Sequence, residues 1–564
     1  MRRYFCLILL LASGCAFAEN TANSTEAIKQ LLDQSRWSEV VSAAEKMPTR
    51  SADLDYYYGS ALAQLGKWDQ ARNAFLAGRG LAPKDKRFPI ELAGVAFQQK
   101  NYSLAVRWLR QGLRLDPQDE YSNNFLATIY YLQGNQQAAL KYWNRAGKPK
   151  LENIGFDPAP RIRAALLDRA FAFAPGSTLA LPDLLTSETR VRALDIFPIF
   201  DFKLAARDDG NFDLGFNAQE RNGFGDSKLQ ALISTFSGAP YQTIYPGYYN
   251  LGNSAVNVVS LLRWDAQKRR AAVTLSAPLR SNPKWRYSLG LDLRNENWAV
   301  RDSFTGPAPV LGSLNLRREM VSAKIASFNS GRWGWAAGAE VSYRDYRSVD
   351  PGTAITPNLL LSGYQLKQIT RINYELLRVP EKRFLMETHA TSELARIWSH
   401  PSQSFAKLQG EVDSQWLPHS RGDDYKMQSR IRVGKTFGNE PFDELFMLGL
   451  ERDNDLWLRA HIGTRDGIKG SAPLGRSFFL SNWEMDKNVY NNGLLGLKLG
   501  PFIDTGKVFD TTTALATPKW LCDMGAQAKV SVLGVGVAFS YGKDLRTGNN
   551  AFYAQVEKSF TSSK

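Results

Sequence analysis

From about residue 250 to residue 560 the chain is written in short alternating runs, and this alternation constrains the fold more than any other feature. In Arg286 to Asn295, Tyr287, Leu289, Leu291 and Leu293 fall on one face, with Arg286, Ser288, Asp292 and Arg294 on the other. In Trp335 to Tyr346, Trp335, Ala337, Ala339, Val341 and Tyr343 oppose Glu340, Ser342 and Arg344. In Tyr425 to Phe437, Tyr425, Met427, Ile431, Val433 and Phe437 oppose Lys426, Gln428, Arg430 and Arg432. Successive side chains of a strand point to opposite faces, so period two with charge on one face specifies strands with one apolar and one polar side. A soluble sheet would alternate too. Three features turn the expectation towards a membrane-spanning antiparallel barrel. The runs reach about ten residues or more, as a tilted crossing requires. Trp285, Trp298, Trp333 and Trp483 are candidates for aromatic girdles near strand ends. The chain also finishes on an alternating run, Phe552, Ala554, Val556 and Phe560. The expected barrel has about sixteen strands, within about 14 to 18, over residues 250–560.

The N-terminus is consistent with export. Arg2 and Arg3 precede the apolar run that begins at Cys6, and Ala16-Phe17-Ala18 supplies the small residues of a cleavage site, so residues 1–18 read as a signal peptide. Ala12-Ser13-Gly14-Cys15 offers the alternative of a lipidated Cys15. No later segment holds eighteen consecutive apolar residues, which leaves a soluble chain or a closed barrel. The net charge of +15 is spread along the chain among many acids, and nucleic acid is not an expected partner. Cys522 is the only cysteine beyond the signal, so no intramolecular disulfide is expected in the mature chain.

Residues 25–150 read as helices with an internal period of 34. Ala71, Phe75, Gly78 and Pro83 recur as Ala105, Leu109, Gly112 and Pro117, and again as Ala139, Trp143 and Ala146 with Pro149 near the turn. Gly66 and Gly134 mark turns between paired helices. This spacing resembles the tetratricopeptide repeat (TPR), an α-helical solenoid whose concave face implies a polypeptide partner. Tyr56, Tyr57 and Tyr58 are candidate groove residues, and packing between repeats is the equal alternative.

Residues 158–220 change character. A Pro175-Gly176-Ser177 turn and a helix over Leu181 to Leu194 lead into two alternating runs, Ile196 to Ala205 and Asn211 to Gln219. Arg207-Asp208-Asp209-Gly210 joins the runs as a hairpin, since Gly supplies the positive φ the turn needs. The order resembles a POTRA domain, which implies a periplasmic α/β module able to take up a client strand.

Residues 494–507, LLGLKLGPFIDTGK, place Leu495, Leu497, Leu499 and Ile503 on the apolar face, with Lys498, Phe502, Asp504 and Gly506 on the other. Phe502-Ile503-Asp504-Thr505-Gly506 fits the F-x-D-x-G motif of the BamA/TamA-type outer-membrane superfamily, and Leu458-Arg459-Ala460-His461 resembles that family's inward loop tip. The resemblance implies a lock between Arg459 and Asp504, framed by Phe502 and Gly506. Ala460 and His461 depart from the family pattern, and Arg465-Asp466-Gly467 is an alternative tip. The loop is expected over Ile462 to Gly475, and Arg430 or Arg432 are rival partners for Asp504. The family also carries a C-terminal assembly signal, here Phe552, Val556 and Phe560.

The expected chain is therefore multidomain: helical repeats, a POTRA-like domain and a transmembrane β-barrel, in the bacterial outer membrane with the N-terminal domains periplasmic. Its expected work is polypeptide translocation or barrel insertion, with outer-membrane lipids and client polypeptides as partners. A passive pore or surface-lipoprotein export channel is the alternative. No enzyme, cofactor or metal is expected, because no nucleophile–base pair stands out and His389, His400, His419 and His461 lack metal-ligand spacing.

Overall fold

The computed structural model describes residues 24–301, 308–419, 424–492, 494–509, 515–516, 519–532 and 535–557. The export segment 1–18, Cys15 and Phe560 lie outside the described residues. The chain divides into two compact units, Met1–Lys148 and Pro149–Lys564.

The first unit is helical. Ala52–Gln64 with Trp68–Leu81, Arg87–Gln98 with Tyr102–Leu115, and Glu120–Leu132 with Gln136–Trp143 form successive pairs. The turn inside each pair needs a left-handed residue, met at 34-residue steps by Gly66 (φ 73°), Lys100 (φ 59°) and Gly134 (φ 68°). Ser51, Asn101, Asp119 and Asn135 accept amide hydrogen bonds at helix starts. Small residues set the spacing between helices. A Cβ on Gly59 would lie 2.6 Å from the Phe75 ring, and one on Gly78 would lie 2.4 Å from Phe88. Tyr56 packs its ring edge against Phe88 and gives its hydroxyl to Glu91, while Tyr57 and Tyr58 lean on the same core. The three tyrosines thus serve packing here.

Lys86 bridges Asp116 at 2.8 Å and Asp119 at 2.6 Å. Burial opposes the Asp119 charge, but Lys86 and Ser122 outweigh it and hold its pKa below the ordinary value; Lys86 does the same for Asp116.

The second unit begins with a three-stranded sheet in the order β1-β3-β2, formed by β1 (Leu151–Asp157), β2 (Ile199–Ala206) and β3 (Phe212–Gln219). The pair β2–β3 is the hairpin turned at Gly210, and β1 runs parallel to β3. The α/β region therefore starts before residue 158, because β1 is an edge strand whose outward residues are mostly exposed and carry no clear alternation. Helices Ala164–Ala170 and Leu181–Leu194 accompany the sheet, whose aromatic core is Phe171, Phe173, Phe202 and Phe216.

The rest is a large antiparallel sheet. Its strands are β4 (Thr243–Ile244), β5 (Gly247–Leu251), β6 (Val256–Trp264), β7 (Lys268–Leu279), β8 (Asn282–Arg301), β9 (Val310–Ser327), β10 (Trp333–Asp350), β11 (Gly363–Val379), β12 (Phe384–Trp398), β13 (Gln403–Trp416) and β14 (Tyr425–Gly438). Four two-residue strands follow: β15 (Phe446–Met447), β16 (Thr464–Arg465), β17 (Ile468–Lys469) and β18 (Leu474–Gly475). Then come β19 (Ser477–Asn491), β20 (Leu495–Phe509), β21 (Leu521–Val532), β22 (Val535–Asp544) and β23 (Asn550–Glu557). Each long strand pairs with the next, and β14 pairs directly with β19. The sheet thus begins at Thr243, earlier than residue 250, because β4 and β5 share one edge of β6 across the break at Pro246.

The alternation sorts as polar inside and apolar outside. Arg344 and Ser342 are buried, while their neighbours Val341 and Tyr343 are exposed. Leu289, Leu291, Leu366, Leu394, Leu408, Leu499 and Ile503 extend the exposed apolar face around the sheet. Trp298 departs from its expected girdle position: it is buried on the concave side against Phe442. Among the described residues no helix is long and apolar enough to cross a membrane.

Connections at the two ends differ. At one end they are short, such as 280–281, 328–332 and 380–383; at the other lie 351–362 and 439–476. The α/β region sits at the short-turn end. Arg190 donates to Phe328 O and Asn329 O, Gly331 N donates to Thr186, and Arg286 donates to Ala193 O and Leu194 O at the C-terminus of helix Leu181–Leu194.

Two outcomes follow for the helical unit. Gly78→Ala drives a Cβ into the buried Phe88 ring and lowers stability by about 1–3 kcal/mol, whereas Gly80→Ala, with open space around it, is neutral or stabilising; thermal melts followed by helical circular dichroism distinguish them. The lowered Asp116 and Asp119 values contribute stability above the unfolded carboxylate pKa of about 4, lost as pH falls through the folded values. The melting difference between the native chain and Lys86→Met should therefore shrink between pH 6 and pH 2.

Candidate functional site

Because β14 and β19 are paired from Lys435↔Ser477 to Tyr425↔Lys487, the connection 439–476 leaves and re-enters the sheet at the same place. It does not project outwards. Phe442, Glu444, Leu448, Leu450, Leu458, His461 and Leu474 are all buried, and the segment lies along the concave face. This segment is longer than the 462–475 loop expected from sequence, and Arg459 lies within it.

The structure brings Arg459 against Asp504. Arg459 Nη2 donates to Asp504 Oδ1 at 2.7 Å and Nε to Oδ2 at 2.8 Å, a two-pronged bond, while the Arg459 amide adds a third at 3.0 Å. Nη1 reaches Glu484 and Gln527, each at 2.9 Å. The guanidinium stands 3.8 Å from the Phe502 ring centroid. Asn482 donates to Asp504 Oδ1 and to Trp457 O, tying the wall to the segment again. Arg430 instead pairs with Asp413 and Glu411, and Arg432 donates to Asn482.

Glycines make the room. A Cβ on Gly525 would meet the Phe502 ring at 2.6 Å, and one on Gly542 would meet Arg459 O at 2.4 Å. Gly506 faces Leu448 and Leu480. The next amide along, Ala460 N, donates to Asp523 Oδ2 at 2.7 Å, so alanine at this position keeps the backbone contact.

The alternative tip lies elsewhere. Arg465 and Ile468 pair across Asp466-Gly467, whose positive φ values make a tight hairpin. Gly467 lies beside Gln267, and exposed Asp466 faces Arg301 at 3.6 Å, so the hairpin sits at the rim. Phe552 is exposed on the outer face of β23, and Val556 lies within β23.

Four further anchors were not singled out from sequence. Glu444 receives Lys367 at 2.7 Å and lies 3.3 Å from Arg344 and 3.5 Å from Lys407. Asp443 meets Arg318 at 3.2 Å and accepts the Tyr346 hydroxyl at 2.6 Å. Asp453 joins Arg263 at 2.7 Å and Arg270 at 2.6 Å, and Lys469 reaches Glu296 at 2.8 Å. The acids of the segment thus face a basic wall on β6–β13, while Arg459 faces an acidic wall on β19–β21. The signal was present as the acidic run 440–455 and as charges at the inward phase of each strand. Their pairing needed the sheet to be curled first.

No family model matches the chain, and no curated protein matches it. Among solved structures, CdiB from Escherichia coli is similar at 12% identity and a TM-score of 0.47, over 73% of this chain and 76% of that one. BamA from Haemophilus ducreyi lacking POTRA domains 1–3 is similar at 10% identity and a TM-score of 0.42, over 73% and 85%. MamA is similar to the helical part at 19% identity, covering 23% of this chain and 78% of its own, with a TM-score of 0.22. These likenesses are distant, and no family follows from them.

Removing one partner of a buried, multiply bonded pair leaves the other charge stranded, at a cost of about 3–5 kcal/mol. Arg459→Ala and Asp504→Asn should each lower the temperature at which detergent-solubilised protein converts to its heat-unfolded gel mobility, and should expose segment 439–476 to protease. Arg465→Ala at the rim should change neither by more than about 1 kcal/mol.

Proposed function

We propose that this chain is an outer-membrane polypeptide translocase or insertase. In this reading a TPR stack and one POTRA-like domain stand in the periplasm, before a barrel of about sixteen strands whose apolar outer face meets lipid. The short-turn end faces the periplasm, as spanning barrels favour, and the long connections face outwards. The exposed apolar face is far larger than a soluble surface keeps in water, which supports the lipid contact.

The observation that carries the proposal is the edge of the first strand. Residues facing β6 alternate with residues facing away, and two of the latter are bonded to the chain's own linker. Tyr249 exchanges two hydrogen bonds with Gly223, and Tyr245 N donates to Thr235 O of helix Lys228–Phe236. In the strand order β23 stands beside β4, and the Tyr241 hydroxyl reaches Ala554 O at 3.3 Å. A strand edge held by a short helix rather than by a full ladder is an edge that an incoming strand can replace. The helix leaves Leu229, Leu232 and Phe236 exposed, so little apolar burial holds it in place.

The filled interior argues against a passive pore, since segment 439–476 occupies the concave face at the long-connection end. Photo-reactive residues at Tyr245, Tyr249 and Phe552 should crosslink to polypeptide clients in cells, and depletion of the protein should lower the level of those clients at the cell surface. In planar bilayers the native chain should conduct weakly and a chain lacking 442–474 strongly. High conductance in the native chain, with no polypeptide crosslink at any of the three positions, would favour the pore and sink the proposal.

A further inference from the structure

One acid of the helical unit lacks a counter-charge. In the helix Arg87–Gln98, Phe88, Leu92, Ala93, Val95 and Ala96 are buried, and the free face runs through Arg87, Glu91, Gly94 and Gln98. Glu91 Oε1 accepts the Tyr56 hydroxyl at 3.1 Å, and among the described residues no other hydrogen bond or cation meets this carboxylate. Burial outweighs that bond and raises the Glu91 pKa. Arg87, one turn earlier, is engaged by Asp53 and Asp85 at 2.6 Å each.

The 34-residue step places its neighbours. Tyr57 and Phe125 hold the place of Glu91 one repeat before and one after, and Ser60 and Thr128 hold the place of Gly94. The three helices that carry them are adjacent: Tyr56 meets Phe88 and Phe97 meets Phe125, with ring centroids 6.1 Å and 5.3 Å apart. Ser60, Gly94 and Thr128 therefore form the floor of a shallow channel across the free faces. A Cβ on Gly94 would meet no heavy atom within 4 Å, so the channel is open at its middle. Ser60 and Thr128 return their hydroxyls to Tyr56 O and Asn124 O of their own helices, which keeps the floor low. The half-buried Tyr57, Glu91 and Phe125 form one wall, and Phe97 and Tyr131, one turn further along their helices, form the other. Tyr121, 64% exposed, stands near Glu91: burial and then the Glu91 charge raise its hydroxyl pKa.

We propose that this channel binds an extended polypeptide segment through one basic side chain, Lys or Arg, seated on Glu91. The carboxylate offers a charge-assisted bond that the fold leaves unmade. Tyr57, Tyr121 and Phe125 offer ring surface to the cation and its aliphatic stem. A largely desolvated acid without a partner is costly, and the incoming cation removes that cost. Three helices packed about 9 Å apart span about 20 Å, the length of about six extended residues, so a peptide rather than a lone cation fills the channel. Residues flanking the basic one meet Phe97 and Tyr131 on the opposite wall. The proposal deepens the translocase reading and rests on it only in taking the bound segment to be part of a client.

The test uses the full chain in detergent micelles and fluorescein-labelled nonapeptides of serine and valine, amidated at the C-terminus, with arginine, glutamine or glutamate at the centre. Fluorescence anisotropy should show the arginine peptide bound at least tenfold tighter than the other two, with the difference shrinking as salt rises. Glu91→Gln can still accept the Tyr56 hydroxyl, and Gly94→Leu fills open space with a better helix former. Each should weaken the arginine peptide at least tenfold, while Gly80→Ala binds it as the native chain does. Helical circular dichroism reads the folding of each variant, and if Glu91→Gln fails to fold, Gly94→Leu and the peptide series decide. Equal binding of the three peptides, undiminished binding by folded Glu91→Gln, or arginine amide bound as tightly as the peptide each overturns the proposal. The cell crosslinks at Tyr245, Tyr249 and Phe552 separate the two readings. Crosslinks there without peptide selectivity here would remove the channel and leave the translocase standing; selectivity without those crosslinks would support the channel and count against the translocase.

Discussion

The charge match between segment 439–476 and the wall around it is the constraint on which the large sheet depends. Strand alternation places Arg263, Arg270, Arg318, Arg344, Lys367 and Lys407 on the concave face on one side, and Glu484, Asp504 and Asp523 on the other. Neither set can stay there unpaired, because a buried charge without a partner costs several kcal/mol. The inward segment carries the opposite signs in the matching order: acids from 440 to 453, then Arg459. The wall and segment therefore specify each other. A one-residue slip in any strand would turn its charges to the apolar face and leave the segment's acids stranded, so the ion pairs enforce the same register as the apolar face does.

Steric room supports the electrostatics. Gly542 and Gly525 lie on adjacent strands as a paired couple, and each admits a different part of the lock: the backbone of Arg459 at one and the ring of Phe502 at the other. Any side chain there would push the guanidinium off Asp504 by more than a hydrogen bond tolerates. The cost is a weaker local strand, since glycine lowers strand propensity. That weakness falls on β21 and β22, next to the last strand.

Much of this fold was legible in the chain. The period of two separated inner from outer residues in β8, β10, β14 and β20, and the phase of LLGLKLGPFIDTGK put Asp504 on the inner face with Phe502 and Gly506. The helix pairs were legible from a 34-residue period because each turn needs a left-handed residue, and glycine advertises it at 66 and 134 though Lys100 conceals the middle one. What escaped has a common cause. Trp298 looks like a girdle residue by type and position, yet its side depends on strand phase, and it packs under Phe442 from a segment more than a hundred residues on. The strand β1 pairs in parallel with a strand some sixty residues later, so no local turn announces it. The anchors at Asp443, Glu444 and Asp453 depend on partners from six different strands, and only the curling of the sheet brings those together.

For the proposed translocase, the energetics of the segment discriminate between two routes. Passing through the interior requires displacing 439–476, which breaks the pairs at Asp443, Glu444, Asp453, Arg459 and Lys469 together. At about 3–5 kcal/mol for each uncompensated buried charge, simultaneous release carries a large cost. Displacing the linker from the first strand costs far less: three backbone hydrogen bonds of about 1 kcal/mol each, remade at once by an incoming strand, plus a short helix whose apolar side is already exposed. In the proposed translocase, the same charges that fix the concave side of the sheet would therefore direct a client to the sheet's edge rather than through its interior.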